Sequence, residues 1–344
     1  MSQDIPAISV IIPTRDASAP CAAAASLAKA RYPQDRIEII LVSGQNPSAQ
    51  RNAAARRATG EYLLFLDDDS EIHPRALQVL RFAFADHPNV AGFGGPAVPK
   101  IDHASSVQAA IKNVMQSIYA FGPSRKRYFP IGEPRPATEQ SLILCNFAIR
   151  KSAWDRHSGF SEQLFPNEEN EFFNRIIMTG EKLFYLPSML VYRRLALTPW
   201  TFIKKMYSYG CSRARHIKLY GYSGRLSIFA PILLFLYTTA VLSFFGVELW
   251  QGLLGTLANQ ELKLTSLMLV LPLLSYALLI GTGVTFSMIS SRRFSLSFAL
   301  TVLTLLPLTH VAYAWGMLLS LILPARPMAA LEPTVILQKS LDAK

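Results

Sequence analysis

Between Ile228 and Leu323 the chain carries only Glu248, Glu261, Lys263, Arg292 and Arg293 as charged residues, although it holds 34 basic and 23 acidic residues in all. Three apolar runs fill that span, roughly Ile228–Val247, Ser266–Ile289 and Phe298–Leu323. A helix crossing a bilayer core needs about 20 such residues. A buried helix of a soluble protein explains one run of this kind but not three in series. With 51% hydrophobic residues over 344 positions, the composition also argues against an exclusively soluble protein.

Basic residues in the loops set the expected orientation. The loop after the second run holds Arg292 and Arg293, whereas the first loop sets Lys263 against Glu248 and Glu261. The N-terminal region and the Arg292 loop are therefore expected in the cytoplasm, and three crossings put the tail after Pro324 on the far side. Met1–Pro6 is short and polar, so no signal peptide is expected. The scattered Cys21, Cys145 and Cys211 suggest free thiols, not a disulfide framework or a zinc site.

Just before the first run, Pro199–Ser227 carries Lys204, Lys205, Arg213, Arg215, Lys218 and Arg225 and no acid. Trp200, Ile203 and Tyr207 recur between them at helical spacing, which predicts a basic amphipathic helix lying in the membrane interface.

The residues up to about 195 read differently. Ile8–Pro13 and Ile37–Val42 are short strand-forming runs separated by an Ala-rich helical stretch around Ala22–Ala30, a β-α-β pattern that implies a parallel sheet. A helix over Ser48–Thr59 and a strand over Tyr62–Leu66 continue it. That strand ends in Asp67-Asp68-Asp69. Like charges this close oppose one another's ionisation, and a bound divalent cation relieves the opposition. Magnesium typically takes one or two carboxylates plus substrate phosphates. The competing reading is a solvated acidic turn before the helix that starts near Pro74. The apolar strand favours the metal reading, because it sets the carboxylates at a sheet's C-terminal edge, where open α/β sheets bind ligands.

A further strand over Val90–Phe93 runs into Gly94-Gly95-Pro96, which is open to two readings: an ordinary turn, or a place where a ligand approaches bare backbone. After a helical piece near Ser106–Tyr119, Gly122–Pro136 is rich in Pro and Gly and contains Arg125, Lys126 and Arg127. It reads either as a plain solvated loop or as a mobile basic loop facing an anionic lipid surface or a phosphorylated acceptor. A second acidic cluster, Asn167-Glu168-Glu169-Asn170-Glu171, precedes Arg175. In a helix, Glu168, Glu171 and Arg175 share a face and Glu169 points elsewhere. Alone, the cluster also suits a helix N-terminus that favours acids.

In order, ISVIIPTRD, YPQDRIEIILV, RNAAARRATGEYLLFLDDDSEI, NFAIRKSAW, GFSEQ, EENEFFNRI and GEKLFYLPSMLVYR resemble a family-2 glycosyltransferase of GT-A fold over about residues 5–195. The apolar tail and Tyr209-Gly210-Cys211-Ser212-Arg213 look most like the membrane-bound succinoglycan-type branch that builds bacterial exopolysaccharides. The resemblance implies a Rossmann-like GT-A α/β domain over 1–195, interfacial helices over 196–227, three transmembrane helices over 228–323 and a tail over 324–344.

On matching positions, the resemblance implies that Asp67 and Asp69 hold a divalent metal, Mn or Mg, on a nucleotide-sugar donor, with Asp68 nearby. It implies that Pro13, Thr14, Arg15, Arg51 and Gly95 line the donor pocket. It makes Glu169, beside Glu168, the base that takes the acceptor proton, and places Asn146, Glu171, Arg193, Arg194 and Arg213 toward the acceptor and lipid. Glu168 and Glu171 are expected to raise the pKa of Glu169. The chain departs from the family pattern at Val42-Ser43-Gly44-Gln45, where Asp-Gly-Ser is usual, at Glu169, where Asp is usual, and at Tyr192, where His is usual. It also lacks the Gln-x-x-Arg-Trp motif of processive synthases.

The implied activity is a metal-dependent inverting hexosyltransferase, multi-pass in the bacterial inner membrane with its catalytic domain in the cytoplasm. Its acceptor would be a saccharide on a polyprenyl diphosphate in surface polysaccharide synthesis. No nucleic-acid partner is expected; homo-oligomers or assembly with other polysaccharide enzymes fit. The alternatives are a polyprenyl-phosphate sugar transferase and a non-catalytic, membrane-anchored assembly protein.

Overall fold

Every residue of Ile8–Thr14 is buried, as a central parallel strand covered on both faces requires. In a computed structural model that describes residues 5–16, 19–101, 105–195, 198–221, 226–253, 262–324 and 334–340, this strand is β1. After it come α1 (Ala22–Leu27), β2 (Ile37–Ser43), α2 (Pro47–Arg57), β3 (Tyr62–Phe65), β4 (Ser70–Ile72), α3 (Ala76–Asp86), β5 (Val90–Gly94) and β6 (Ala97–Lys100). Then follow α4 (Ser106–Gln116), α5 (Ile118–Phe121), β7 (Arg135–Pro136), β8 (Phe147–Arg150), α6 (Lys151–Arg156), α7 (Glu168–Met178), β9 (Lys182–Tyr185) and β10 (Val191–Arg194). The chain continues through α8 (Pro199–Tyr220), α9 (Ala230–Leu253), α10 (Leu262–Ser291) and α11 (Leu296–Ile322) to a last strand, β11 (Thr334–Ser340).

The described residues form two compact units. One holds those before 102, 122–195 and β11; the other holds 105–121 and 198–324. In the first, eight strands order as β11-β2-β1-β3-β8-β5-β9-β7, with a second sheet β4-β10-β6. β1 pairs in parallel with β2 and β3, whereas β8 is antiparallel to both β3 and β5. Alternation along β1 divides the core. Ile8, Val10 and Ile12 pack with Leu27, Leu77, Leu80 and Phe84 on one face. Ile11 packs with Ala54, Ala55, Trp154, Phe172 and Phe173 on the other. Because β3 stops at Phe65, opposite Ile11, while β1 and β2 run on to Thr14 and Ser43, the aspartates emerge at the sheet's C-terminal edge.

Two parts of the sequence-based division change. Residues 105–121 belong with the second unit, although they interrupt the first in the chain. The tail also contributes a strand to the first unit: β11 pairs antiparallel with β2, from Thr334 opposite Ser43 to Ser340 opposite Glu38. The reason is the outer edge of β2, a row of backbone donors and acceptors that a strand satisfies.

In the second unit, Ala230–Val247, Met268–Ser291 and Leu296–Ile322 are long and apolar enough to cross a membrane. Their outward Leu233, Leu278 and Leu300 are exposed. The buried residues of α8 include Phe202, Met206, Gly210 and Ala214, whereas Trp200, of the Trp200–Ile203–Tyr207 stripe expected to face the membrane interface, is exposed. Gly210 and Gly316 mark where α8 meets α11: a Cβ on either would lie 2.1 or 2.2 Å from a carbonyl oxygen of the other helix, Tyr313 or Tyr207. Small residues let helix backbones approach this closely. His310 adds a polar tie, accepting or donating at 2.8 Å with the Tyr276 hydroxyl and meeting the Tyr119 carbonyl at 3.0 Å. Arg225 and Glu261 lie outside the described residues.

Candidate active site

Helix α2 organises the edge of the first unit through three consecutive buried polar residues. Gln50, Arg51 and Asn52 are 1%, 4% and 6% exposed. Successive helical positions project about 100° apart, so each reaches a different segment. Gln50 donates to the carbonyls of Thr14 (2.8 Å) and Val42 (2.5 Å), satisfying the ends of β1 and β2. Asn52 donates to the Phe160 carbonyl and to Glu162, and accepts from the Phe160 amide, each at 2.9 Å. It thereby holds the Gly159–Glu162 loop, where Gly159 has φ +75° and a Cβ would lie 2.6 Å from the Asn52 oxygen. Sequence reasoning missed Gln50 and Asn52; the signal available was a helix too polar to be merely packed.

Arg51 sits between them and joins the two acidic clusters. Its Nη2 donates to Asp67 Oδ1 at 2.7 Å and its Nη1 to Glu168 Oε1 at 2.9 Å. Asp67 arrives from the end of β3, and Glu168 from the first turn of α7, where the helix dipole favours acids. The Asn167 amide donates to the other Glu168 oxygen at 2.9 Å. Burial, reinforced by neighbouring Glu169, pushes the Glu168 carboxyl up to about 7 against the pull of Arg51. Glu168 is the member of the pair that points into the protein.

Glu169 lies on the more open side, with its side chain 18% exposed and Arg127 Nη1 3.5 Å from its Oε1. Arg127 also donates to the Glu139 carbonyl and to Asn170 Oδ1. Neither reading of the Gly122–Pro136 loop therefore describes Arg127, which is turned inward against α7.

Arg193, from the end of β10, faces the aspartates. Its Nε and Nη2 donate to the two Asp69 oxygens at 3.0 and 2.9 Å, and its Nη1 is 3.2 Å from Asp67 Oδ2. Cys145 Sγ is 3.7 Å from that guanidinium, and burial pushes its thiol up to about 12. Asp68 instead offers its backbone carbonyl to the Ala23 amide, 3.2 Å away.

Other expected site residues have structural partners. A Cβ on Gly95 would lie 1.9 Å from the Met189 carbonyl, so the bare backbone admits the protein's own chain. Asn146 donates to the Pro96 and Met189 carbonyls at 3.0 and 2.7 Å and holds the same crossing. Glu171 binds Arg175 at 2.7 Å, and Arg175 reaches the Gly159 carbonyl at 2.8 Å, so this pair braces the Gly159 loop. Pro13 and Thr14 lie at the end of β1, followed by the exposed Arg15. Arg194 ends β10 beside Lys100, and Arg213 lies on α8 in the second unit.

Among the described residues no group of three or more His, Cys, Asp and Glu side chains is placed to hold a metal. Asp67 and Asp69 nonetheless suit a hard cation: one guanidinium already reaches both carboxylates, and two carboxylates completed by donor phosphates are a usual magnesium set.

Residues 11–157 match the family model described as Glycosyl transferase family 2. The fold is a GT-A-type mixed α/β domain followed by C-terminal helices. Solved structures similar to the chain include the mannosyltransferase PcManGT from Pyrobaculum calidifontis in complex with GDP-Man and Mn2+. It is 16% identical, with 91% of this chain and 87% of that one covered, at a TM-score of 0.49. S. aureus TarS 1-349 in complex with UDP is 16% identical, with 65% and 77% covered, at a TM-score of 0.41. No curated protein matches the chain.

Proposed function

We propose, on the premise that residues 11–157 form the glycosyl transferase family 2 domain they match, that this protein is a membrane-bound inverting glycosyltransferase. It moves a sugar from a nucleotide-sugar donor to a saccharide carried on a polyprenyl diphosphate. The observation that carries this reading is the double engagement of Arg51 with Asp67 and Glu168. It couples a candidate diphosphate-holding carboxylate to the candidate base segment. The match of residues 11–157 to the glycosyl transferase family 2 model supports a donor of this class.

The chemistry follows from the residues. Glu169, more open than Glu168, takes the proton of the acceptor hydroxyl as its oxygen attacks the anomeric carbon. The bond from that carbon to the diphosphate breaks on the opposite face, so the configuration inverts. Glu168 does not reach the acceptor; held by Arg51 and the Asn167 amide, it anchors the start of α7 and so aims Glu169. Arg127 fixes the same turn from the other side. Asp67 and Asp69 would hold Mn or Mg, which supplies positive charge against the departing diphosphate. The three long apolar helices fit a lipid-borne acceptor.

A screen of nucleoside diphosphates and nucleotide sugars tests the reading. Ligand binding to the folded state raises stability by mass action, so a matching base shifts the melting temperature when Mn is present. Absence of a shift with every nucleotide, together with absence of donor turnover, contradicts it. A product whose sugar sits on a lipid monophosphate and is released by mild acid would point instead to a polyprenyl-phosphate transferase.

A further inference from the structure

The aspartate motif faces two arginines of very different standing. All four of its relevant carboxylate oxygens meet a guanidinium: Asp67 Oδ1 meets Arg51, and Asp67 Oδ2 and both Asp69 oxygens meet Arg193. Arg51 is 5% exposed in its side chain and is also held by buried Glu168. Arg193 is 30% exposed, and its ion-pair partners are these two aspartates, themselves 25% and 46% exposed. Its backbone is held where Arg193 pairs with Ser70 of β4 and Pro99 of β6, and its side chain is held by the two aspartates and by Cys145 Sγ at 3.7 Å. Arg51 is tied to buried Glu168 as well as to the motif, whereas the charge partners of Arg193 are the motif itself, so Arg193 is the cation that a metal bound there displaces.

Resting on the nucleotide-sugar reading above, we propose that Arg193 is a built-in counter-cation of the Asp67–Asp69 pair. It neutralises the pair before the donor arrives and must leave both carboxylates before a divalent metal is held there. A guanidinium and a metal cannot share the same oxygens, and their like charges repel at this range. Once displaced, the planar fork matches phosphate oxygens geometrically, so it turns from the carboxylates to the donor diphosphate. Arg193 is thus a positioning residue, and metal and donor bind together because neither alone both displaces and re-engages it.

The test is a titration of the purified full chain with Mn2+ in the absence of nucleotide, read by the electron paramagnetic resonance signal of free Mn2+. Arg193→Gln removes the competing cation, so its Mn2+ Kd should fall about fivefold below wild type, the scale of a partly exposed charge pair. Affinity of the same variant for UDP or GDP with Mn2+ present should weaken several-fold. Asp67→Asn combined with Asp69→Asn should abolish the Mn2+ binding. Arg193→Lys, which keeps a charge in place but cannot bridge both aspartates, should fall between wild type and Arg193→Gln. It serves as the measured variant if Arg193→Gln does not fold. An Mn2+ Kd in the Arg193 variants equal to or weaker than wild type overturns the proposal, as does absence of Mn2+ binding in every protein. Tighter Mn2+ binding without binding of any nucleotide would keep the counter-cation assignment and remove the nucleotide-sugar reading. Normal nucleotide binding with an unaltered Mn2+ Kd would do the reverse.

Discussion

Arg51 and Glu168, 117 residues apart in the chain, form a buried ion pair with Nη1 2.9 Å from Oε1. The pair ties α2 to the start of α7, and the Arg51–Asp67 contact brings in the end of β3. Removing one partner leaves the other charge buried and alone, which costs far more than the pair itself contributes.

Arg51→Ala should therefore destabilise the folded protein by about 3–5 kcal/mol. Denaturant unfolding in detergent measures this. Adding Glu168→Gln should recover much of the loss, because no unpaired charge then remains. A loss under about 1 kcal/mol for Arg51→Ala, the range of an exposed pair, would contradict the buried arrangement.

Glu168 also sets a pH dependence. Its folded pKa, about 7, lies above the 4.5 usual for a glutamate. Between those values the folded protein holds a proton that the unfolded chain has released, so this group's contribution to stability falls as pH rises from about 4.5 to 7 and is level beyond. Glu168→Gln should flatten that part of the stability profile. A wild-type profile that rises through this window, with no change in the variant, would show the carboxyl is not raised.

The strand β11 makes a prediction about topology. Because Thr334–Ser340 pairs with β2, a tag placed after Lys344 should be on the same side of the membrane as the N-terminal unit. Protease protection in oriented vesicles reads this. Tag and N-terminal unit on opposite sides would remove β11 from the sheet and restore three complete crossings.

Helix packing in the second unit is sensitive to single methyl groups. Gly210→Ala or Gly316→Ala puts a Cβ against backbone, where overpacking costs typically 1–3 kcal/mol. Gly281→Ala, with open space around it, should be neutral. Melting temperatures in detergent should separate the two groups; equal values would mean α8 and α11 are not in contact as described.

Much of this was legible along the chain, and the exceptions share a cause. The strands Ile8–Thr14 and Ile37–Ser43 announce themselves by composition, and the aspartates by their place after an apolar strand, all local signals. The pairing of β11 with β2 joins residues nearly the whole chain apart, and no periodicity encodes it. The packing of α8 on α11 at Gly210 and Gly316 was not legible, because glycine gives no hydrophobic signal although close helix approach selects it. Glu168 and Glu169 look equivalent in sequence. Only the buried Arg51 distinguishes them. Arg193 reads as one of two adjacent arginines, and its reach to Asp67 and Asp69 depends on the β4–β10 pairing.

The central claim, that Asp67 and Asp69 hold the donor while Glu169 takes the proton, meets its most direct test in Glu169→Gln. With the preferred nucleotide sugar, Mn2+ and a lipid-linked acceptor, the account predicts donor Kd unchanged and transfer slower by about 10²–10⁴-fold, the usual contribution of a positioned base. Transfer at the wild-type rate in that variant would contradict it.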